Sequence, residues 1–209
     1  MTIDIRHYRP TDRADLYDVC IRTADVGKDA RHLYPDHELV GAIYAEPFVV
    51  LEPDLAFMLD NGSRVVGYIV GTADTPGFAR RFAEEWLPTV ADRFPAPTGV
   101  PTTPEEVMRN RLHRPGRTVF PQLADYPAHM HIDLLPEYRG GGHGRRLMHA
   151  FLAAARAAGA ERAHMTPFNG NTSAWPFYER MGFRPLHVPD LGDYTCLVRS
   201  TDVEAPPMA

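Results

Sequence analysis

Residues 129–145 read His-Met-His-Ile-Asp-Leu-Leu-Pro-Glu-Tyr-Arg-Gly-Gly-Gly-His-Gly-Arg. The first half alternates as a strand, the glycines follow within a few residues, and an Ala-rich helix opens at Arg145. Consecutive glycines let main-chain N–H groups converge on one point, and the helix start adds its positive dipole end to that point. A strand, a cradle and a helix in this order describe a site for an anion, most simply a pyrophosphate. A glycine cluster alone also serves ordinary turns, so the weight rests on what surrounds it.

Downstream, the helix at 145–158 places Leu147, Met148, Phe151, Leu152 and Ala155 on one face, and a strand at 163–166 follows. A helix at 172–181 and strands at 184–188 and 194–199 complete this half, with Gly159 and Gly182 as left-handed helix caps. Upstream, a strand at 3–8 leads to a helix capped by Thr11, with Leu16, Val19, Cys20 and Thr23 at helical spacing. Residues 24–30 break the pattern. A second helix is expected at 36–45, ended by Pro47. The segments 55–59 and 65–72 form a hairpin about Asn61-Gly62, a pair suited to a two-residue type I′ turn. Residues 73–127 are an insertion before the fourth strand. One of its helices starts at Thr75-Pro76 with Phe78, Phe82 and Trp86 as a stripe, and another is capped by Thr103 and Glu106. The insertion is expected to add core and to cover the acceptor side of the site.

The chain resembles the GCN5-related N-acetyltransferases (GNAT). Their Gln/Arg-x-x-Gly-x-Gly/Ala signature stands here as Arg139 to Gly144, followed by Asn171 and by Trp175-Pro176-Phe177-Tyr178-Glu179-Arg180-Met181-Gly182-Phe183. A narrower resemblance, carried by Thr23, Gly27, Asp29, Ala30, Leu33, Tyr34, Tyr44 and Pro47, is to the acetyltransferase-like C-terminal domain of O-GlcNAcases and its free-standing bacterial relatives. The resemblance implies an α/β (α+β) GNAT fold: a mixed, mostly antiparallel seven-stranded sheet flanked by helices, with a helical insertion between strands three and four. Residues 1–200 are then one domain and 201–209 a flexible tail.

It further implies acetyl-CoA as co-substrate, with Ile132, Asp133 and Leu134 pairing with the pantetheine arm. Arg139, Gly140, Gly141, Gly142, His143, Gly144 and Arg145 would hold the pyrophosphate, and Asn171 would bond the pantetheine. Tyr178 matches the family's general acid, which protonates the leaving thiolate. Thr166 stands where several relatives carry a glutamate base and cannot serve as one at neutral pH. The base is therefore sought among His131, Asp133, Asp25 and Asp29, or is a water. Asp25 and Asp29 with Tyr34 and Tyr44 are expected to line a pocket for a cationic amine, either a small molecule or a protein lysine or N-terminus. No cysteine lies near either motif, so direct transfer in a ternary complex is expected. The alternative is a catalytically inactive relative that binds acyl-CoA or a protein.

Composition limits other classes. The net charge of −5 has no basic stripe, which argues against nucleic acid. His129 and His131 share a strand face but lack the further ligands of a zinc site, so no metal is expected. Two cysteines outside any Cys-x-x-Cys pair suit a reducing compartment. With no apolar leader and no spanning run, a cytoplasmic protein, monomeric or homodimeric and without membrane contact, is expected.

Overall fold

The computed structural model describes residues 3–204. Strand β1 (Asp4–His7) leads through a 3-10 turn (Pro10–Asp12) into helix α1 (Arg13–Ile21). Asp12 rather than Thr11 organises that turn. Its carboxylate accepts from the Arg9 N–H at 2.7 Å and pairs with the Arg6 guanidinium at 2.6 Å. Where one helix was expected at 36–45, two short ones form, α2 (Gly41–Tyr44) and α3 (Glu46–Leu51). Pro47 begins the second instead of ending the first. A first-turn proline loses no helical hydrogen bond, and the break falls at Ala45, whose φ is −131°. Leu39, Val40 and Ile43 are buried, as their spacing predicts.

Strands β2 (Ala56–Asp60) and β3 (Val65–Thr72) form the expected hairpin with a different turn. Gly62 alone takes positive φ, +88°, and the Asn61 Oδ1 accepts from the Ser63 and Arg64 N–H groups at 2.9 and 3.0 Å. The Asn side chain thus organises a four-residue loop, with the register shifting between Leu59 and Asp60. Between β3 and the next strand lie α4 (Thr75–Arg81), a π-helical turn (Phe82–Trp86), α5 (Leu87–Val90) and α6 (Pro104–Leu112). The capping box at Thr103 and Glu106 forms as expected.

Strand β4 (Ala128–Leu134) precedes helix α7 (His143–Ala157), strand β5 (Arg162–Met165), helix α8 (Trp175–Arg180) and strands β6 (Arg184–Leu186) and β7 (Cys196–Ser200). The seven strands are ordered β1-β2-β3-β4-β5-β7-β6, all neighbours antiparallel except β4 and β5. This is the seven-stranded mixed GNAT sheet that the sequence implied.

The layers follow from side-chain alternation. Every residue of β3 is buried, as a central strand covered on both faces requires. The five expected apolar positions of α7 are all buried, and the helix lies close to the sheet. A Cβ on Gly71 would come within 2.2 Å of the His129 carbonyl and 2.5 Å of the Phe151 ring. Thr201 is buried with its hydroxyl donating to the Ala160 carbonyl at 2.7 Å, so the chain is still attached to the sheet there. Of the tail expected at 201–209, residues 205–209 lie outside the described residues.

Candidate active site

The site starts where two strands part. β4 and β5 pair only at Ala128↔Ala163 and His129↔His164, after which β4 runs on without a neighbour on that side. Leu135 N–H donates to the Val66 carbonyl at 3.0 Å, and alternation along an antiparallel ladder turns the main-chain groups of Asp133 and His131 toward β3 as well. The groups of Met130, Ile132 and Leu134 therefore face the gap. Of the three residues expected to pair with an extended ligand arm, Ile132 turns both main-chain groups to the gap and Leu134 its N–H, its carbonyl accepting from Arg139 Nε, while the Asp133 backbone is used within the sheet.

The glycine cradle closes the end of this gap. Gly140 and Gly142 take φ of +81° and +79°, a left-handed conformation that glycine alone adopts without penalty, and α7 begins at the next residue, His143. Nothing lies within 4 Å of a Cβ built on either glycine, so the cradle opens to solvent. A Cβ on Gly144 would sit 3.3 Å from the Phe177 ring, which packs α7 against α8. His143 Nδ1 is buried with no partner among the described residues. A free sheet edge, an open ring of N–H donors at a helix start and an orphaned imidazole nitrogen fit a pantetheine-pyrophosphate ligand.

The Arg139 side chain has a structural task. It donates from Nε to the Leu134 carbonyl and from Nη2 to the Gly27 carbonyl, both at 2.9 Å, tying the cradle to the loop after α1. That loop is a tight turn in which Val26 and Gly27 have φ of 54° and 79°. Positive φ in a β-branched residue is strained, and the Arg139 clip helps to hold it. Asn171 lies in the turn before α8, its Oδ1 accepting from the Ser173 hydroxyl at 3.2 Å and its amide nitrogen without an acceptor among the described residues. Arg145 is exposed on the first turn of α7.

The odd residues of β4 point away from α7, toward α1 and the insertion. Asp133 accepts from the Tyr68 hydroxyl at 2.8 Å. Its enclosure raises its pKa above the usual carboxylate range, against the opposing hydrogen bonds of Tyr68 and Thr23. Tyr178 is buried, with Phe177 and Phe183 beside its ring. Burial, with the Asp133 charge adding to it, raises the phenol's pKa and keeps it protonated at neutral pH. Its hydroxyl makes no hydrogen bond to any described residue. Cys20, distant in sequence, is brought close enough for the Asp133 charge to act on it. Burial first, and then that charge, push its thiol up to about 12, so it is no nucleophile at neutral pH.

Further along the same face, His131 packs between Phe48 and Tyr44, with ring centroids 5.2 and 5.3 Å away. Enclosure and the nearby Arg117 charge lower its pKa to about 4. His129 is committed elsewhere, its Nδ1 2.7 Å from the Thr75 hydroxyl, and His164 Nδ1 meets the Tyr126 carbonyl at 2.7 Å. The two imidazoles are thus core hydrogen-bonding groups.

The expected acidic pocket does not assemble. Asp29 is exposed and bound by both the backbone and the guanidinium of Arg31, which hold its carboxyl down to about 2. It caps no helix either, since its oxygen closes a local turn. Asp25 bridges to Lys28 through the backbone and sits 3.7 Å from His32. Tyr34 is buried below this segment. Tyr44 faces cations: Arg111 donates to its hydroxyl at 3.2 Å, and the Arg117 guanidinium lies 5.6 Å from its ring centre. Burial would raise the Tyr44 pKa, but the two guanidiniums outweigh it and lower it. Lys28 and Arg31 sit among the acids of that loop, and the charges that act on Tyr44 are those of Arg117 and Arg111. Arg111, Arg117, Tyr68 and Tyr194 complete this face and were not singled out from the sequence. The arginines lie in an insertion without a motif, and Tyr68 reads there as one more apolar residue of a strand.

The acetyltransferase (GNAT) family model matches residues 116–183, the stretch that contains β4, the cradle and α8. The solved structure of SsHAT is 46% identical, covers 96% of this chain and 99% of its own, and superposes with a TM-score of 0.92. Rat (Rattus norvegicus) O-GlcNAcase is 23% identical over 180 residues, 85% of this chain. The chain spans only 20% of that relative's length. The yncA structure from Salmonella typhimurium, solved with its cofactor acetyl-CoA, shares the fold at 14% identity and a TM-score of 0.56, covering 99% of this chain and 98% of its own. A mixed sheet that splays at β4 and β5 over a glycine cradle defines an acetyltransferase-type fold. The chain belongs to the GCN5-related N-acetyltransferase superfamily.

Proposed function

We propose that the protein transfers an acetyl group from acetyl-CoA to a primary amine by direct attack within a ternary complex. One observation carries the reading: the unpaired edge of β4 runs straight into the open cradle, with Tyr178 and Asp133 close to one another beside that edge. Ile132 and Leu134 would hold the pantetheine amides, and the cradle N–H groups, with His143, the pyrophosphate. Bound there, acetyl-CoA supplies an acyl carbon activated as a thioester.

The chain's own groups then manage two protons. Asp133 takes the proton that the amine nitrogen must lose as its bond to the acyl carbon forms. It is the better base than His131, because enclosure strengthens a carboxylate as a base and weakens an imidazole. The Tyr178 hydroxyl donates to sulfur as the carbon–sulfur bond breaks, so the products are an amide and a free thiol. Its raised pKa makes it a hydrogen-bond donor to the developing charge before it is a proton donor. The thiol of Cys20, held protonated, supports transfer without an acyl-enzyme.

Acetyl-CoA titration by calorimetry, followed by thiol-release assays over a panel of primary amines, tests the reading. Binding together with amine-dependent thiol release is expected. Tight binding with no release for any amine would favour the inactive, acyl-CoA-binding alternative.

A further inference from the structure

Resting on the acetyl-transfer reading, we propose that the amine acceptor also carries a carboxylate, held by Arg111 and Arg117 against Tyr44. Arg111, from α6, donates to the Tyr44 hydroxyl at 3.2 Å and to the Tyr194 hydroxyl at 2.6 Å. Arg117 lies beyond the end of that helix, in the 3-10 turn Pro115–Thr118, donating to the Arg111 carbonyl at 3.4 Å, with its guanidinium over the Tyr44 ring. Both side chains are partly buried, and neither meets a carboxylate within ion-pair distance among the described residues.

Several other arginines here are paired. Arg109 on the same helix pairs with Glu105, Arg93 with Asp36 and Glu38, and Arg31 with Asp29. Two half-buried guanidiniums whose partners are phenols and a main-chain carbonyl leave positive charge without an anion, and enclosed charge is normally paired. The guanidinium fork matches a carboxylate in charge and in geometry.

Arg117 also lies where an acceptor must reach. Arg117, Tyr44 and His131 border one narrow crevice of about 20 Å³, floored by Phe48, Phe78 and Phe82, so the acceptor's carboxylate would sit at its mouth. His131 is two residues from Asp133 on the same strand face, a rise of about 7 Å along a strand. An acceptor whose amine reaches Asp133 thus extends its other end along β4 toward the two cations. The same geometry disfavours a second positive charge at that end, which replaces the cationic acceptor anticipated from Asp25 and Asp29.

The test uses matched pairs: α- and ω-amino acids of increasing length, each beside its carboxamide, as acceptors in thiol-release kinetics. The best acid should exceed its carboxamide in kcat/KM roughly tenfold or more, the scale of a charge-assisted pair. Arg117→Gln should erase that preference, and Arg117→Lys should keep part of it. Acetyl-CoA affinity and the thermal midpoint should stay near wild type in both. Arg111→Gln gives a second arm should Arg117→Gln fail to fold. Equal use of acids and carboxamides by wild type would overturn the proposal. A binding arm separates it from the transfer reading. The N-acetylated amino acids and their carboxamides are titrated into the CoA-loaded protein by calorimetry. Carboxylate-dependent binding that Arg117→Gln abolishes would uphold the anion site even if no amine is turned over, whereas its absence would overturn it.

Discussion

Acidification should destabilise this protein through His131. Packing between Phe48 and Tyr44 and the neighbouring Arg117 charge hold its folded pKa at about 4, whereas an unfolded histidine titrates near 6.5. Between those values the unfolded chain binds the extra proton, so stability is full above the unfolded pKa and falls as pH is lowered through the window. Integrating that difference gives a loss of about 2 kcal/mol between pH 7.5 and 5, approaching roughly 3 kcal/mol below pH 4. His129 and His164, also lowered by burial, act with the same sign. Asp133, whose folded pKa is raised, acts with the opposite sign and gains stability as it protonates. Urea unfolding at pH 7.5 and 5 for wild type and His131→Gln isolates the one residue. The substitution will cost some stability at both pH values, but the pH-dependent loss should shrink by about 2 kcal/mol. Equal pH-dependent losses in the two proteins would refute the enclosed, neutral His131 on which the choice of Asp133 as base depends.

Tyr178→Phe and Asp133→Asn should each lower turnover with the best amine by roughly 10²-fold or more while leaving acetyl-CoA affinity within about twofold, as steady-state kinetics and calorimetry would report. Turnover unchanged by Tyr178→Phe would assign protection of the leaving sulfur to water. Gly71→Ala should destabilise the fold by about 3 kcal/mol or prevent expression, because its Cβ would strike the His129 carbonyl at 2.2 Å. Urea unfolding measures it.

The fold was legible where local chemistry and tertiary burial agree. Helix α7 shows its buried stripe residue by residue, Thr103 and Glu106 announce α6, and β3 reads as a continuous apolar run. The misreadings share a cause, in that a side chain or a turn with more than one solution took the less common one. Pro47 starts a helix instead of stopping one, and Asn61 uses its side chain, not a positive φ, to make the turn. Of the candidate site, the glycine turn ahead of α7 and the place of Tyr178 in α8 were readable because glycine and motif spacing are local properties. The acceptor side was not. It depends on which charges the fold brings together, and Arg31 cancelling Asp29 while Arg111 reaches Tyr44 are facts of three dimensions with no one-dimensional sign.

The central claim is that the cradle binds the pyrophosphate of acetyl-CoA, and one substitution addresses it with little disturbance to the fold. Gly141 is the cradle glycine with ordinary φ between two left-handed neighbours, and a Cβ there meets only the His143 ring, at 3.0 Å. Gly142 would be strained by any side chain, and Gly144 would press on Phe177. Gly141→Asp therefore sets a negative charge at the anion site and leaves the sheet intact. Titration of acetyl-CoA into wild type and Gly141→Asp by calorimetry, with matched thermal midpoints, should show binding to the first and at least a hundredfold weaker binding to the second, the scale expected of a like charge in a phosphate site. Equal affinity in two equally stable proteins would contradict the assignment of the cradle, and with it the route by which the thioester reaches Asp133 and Tyr178.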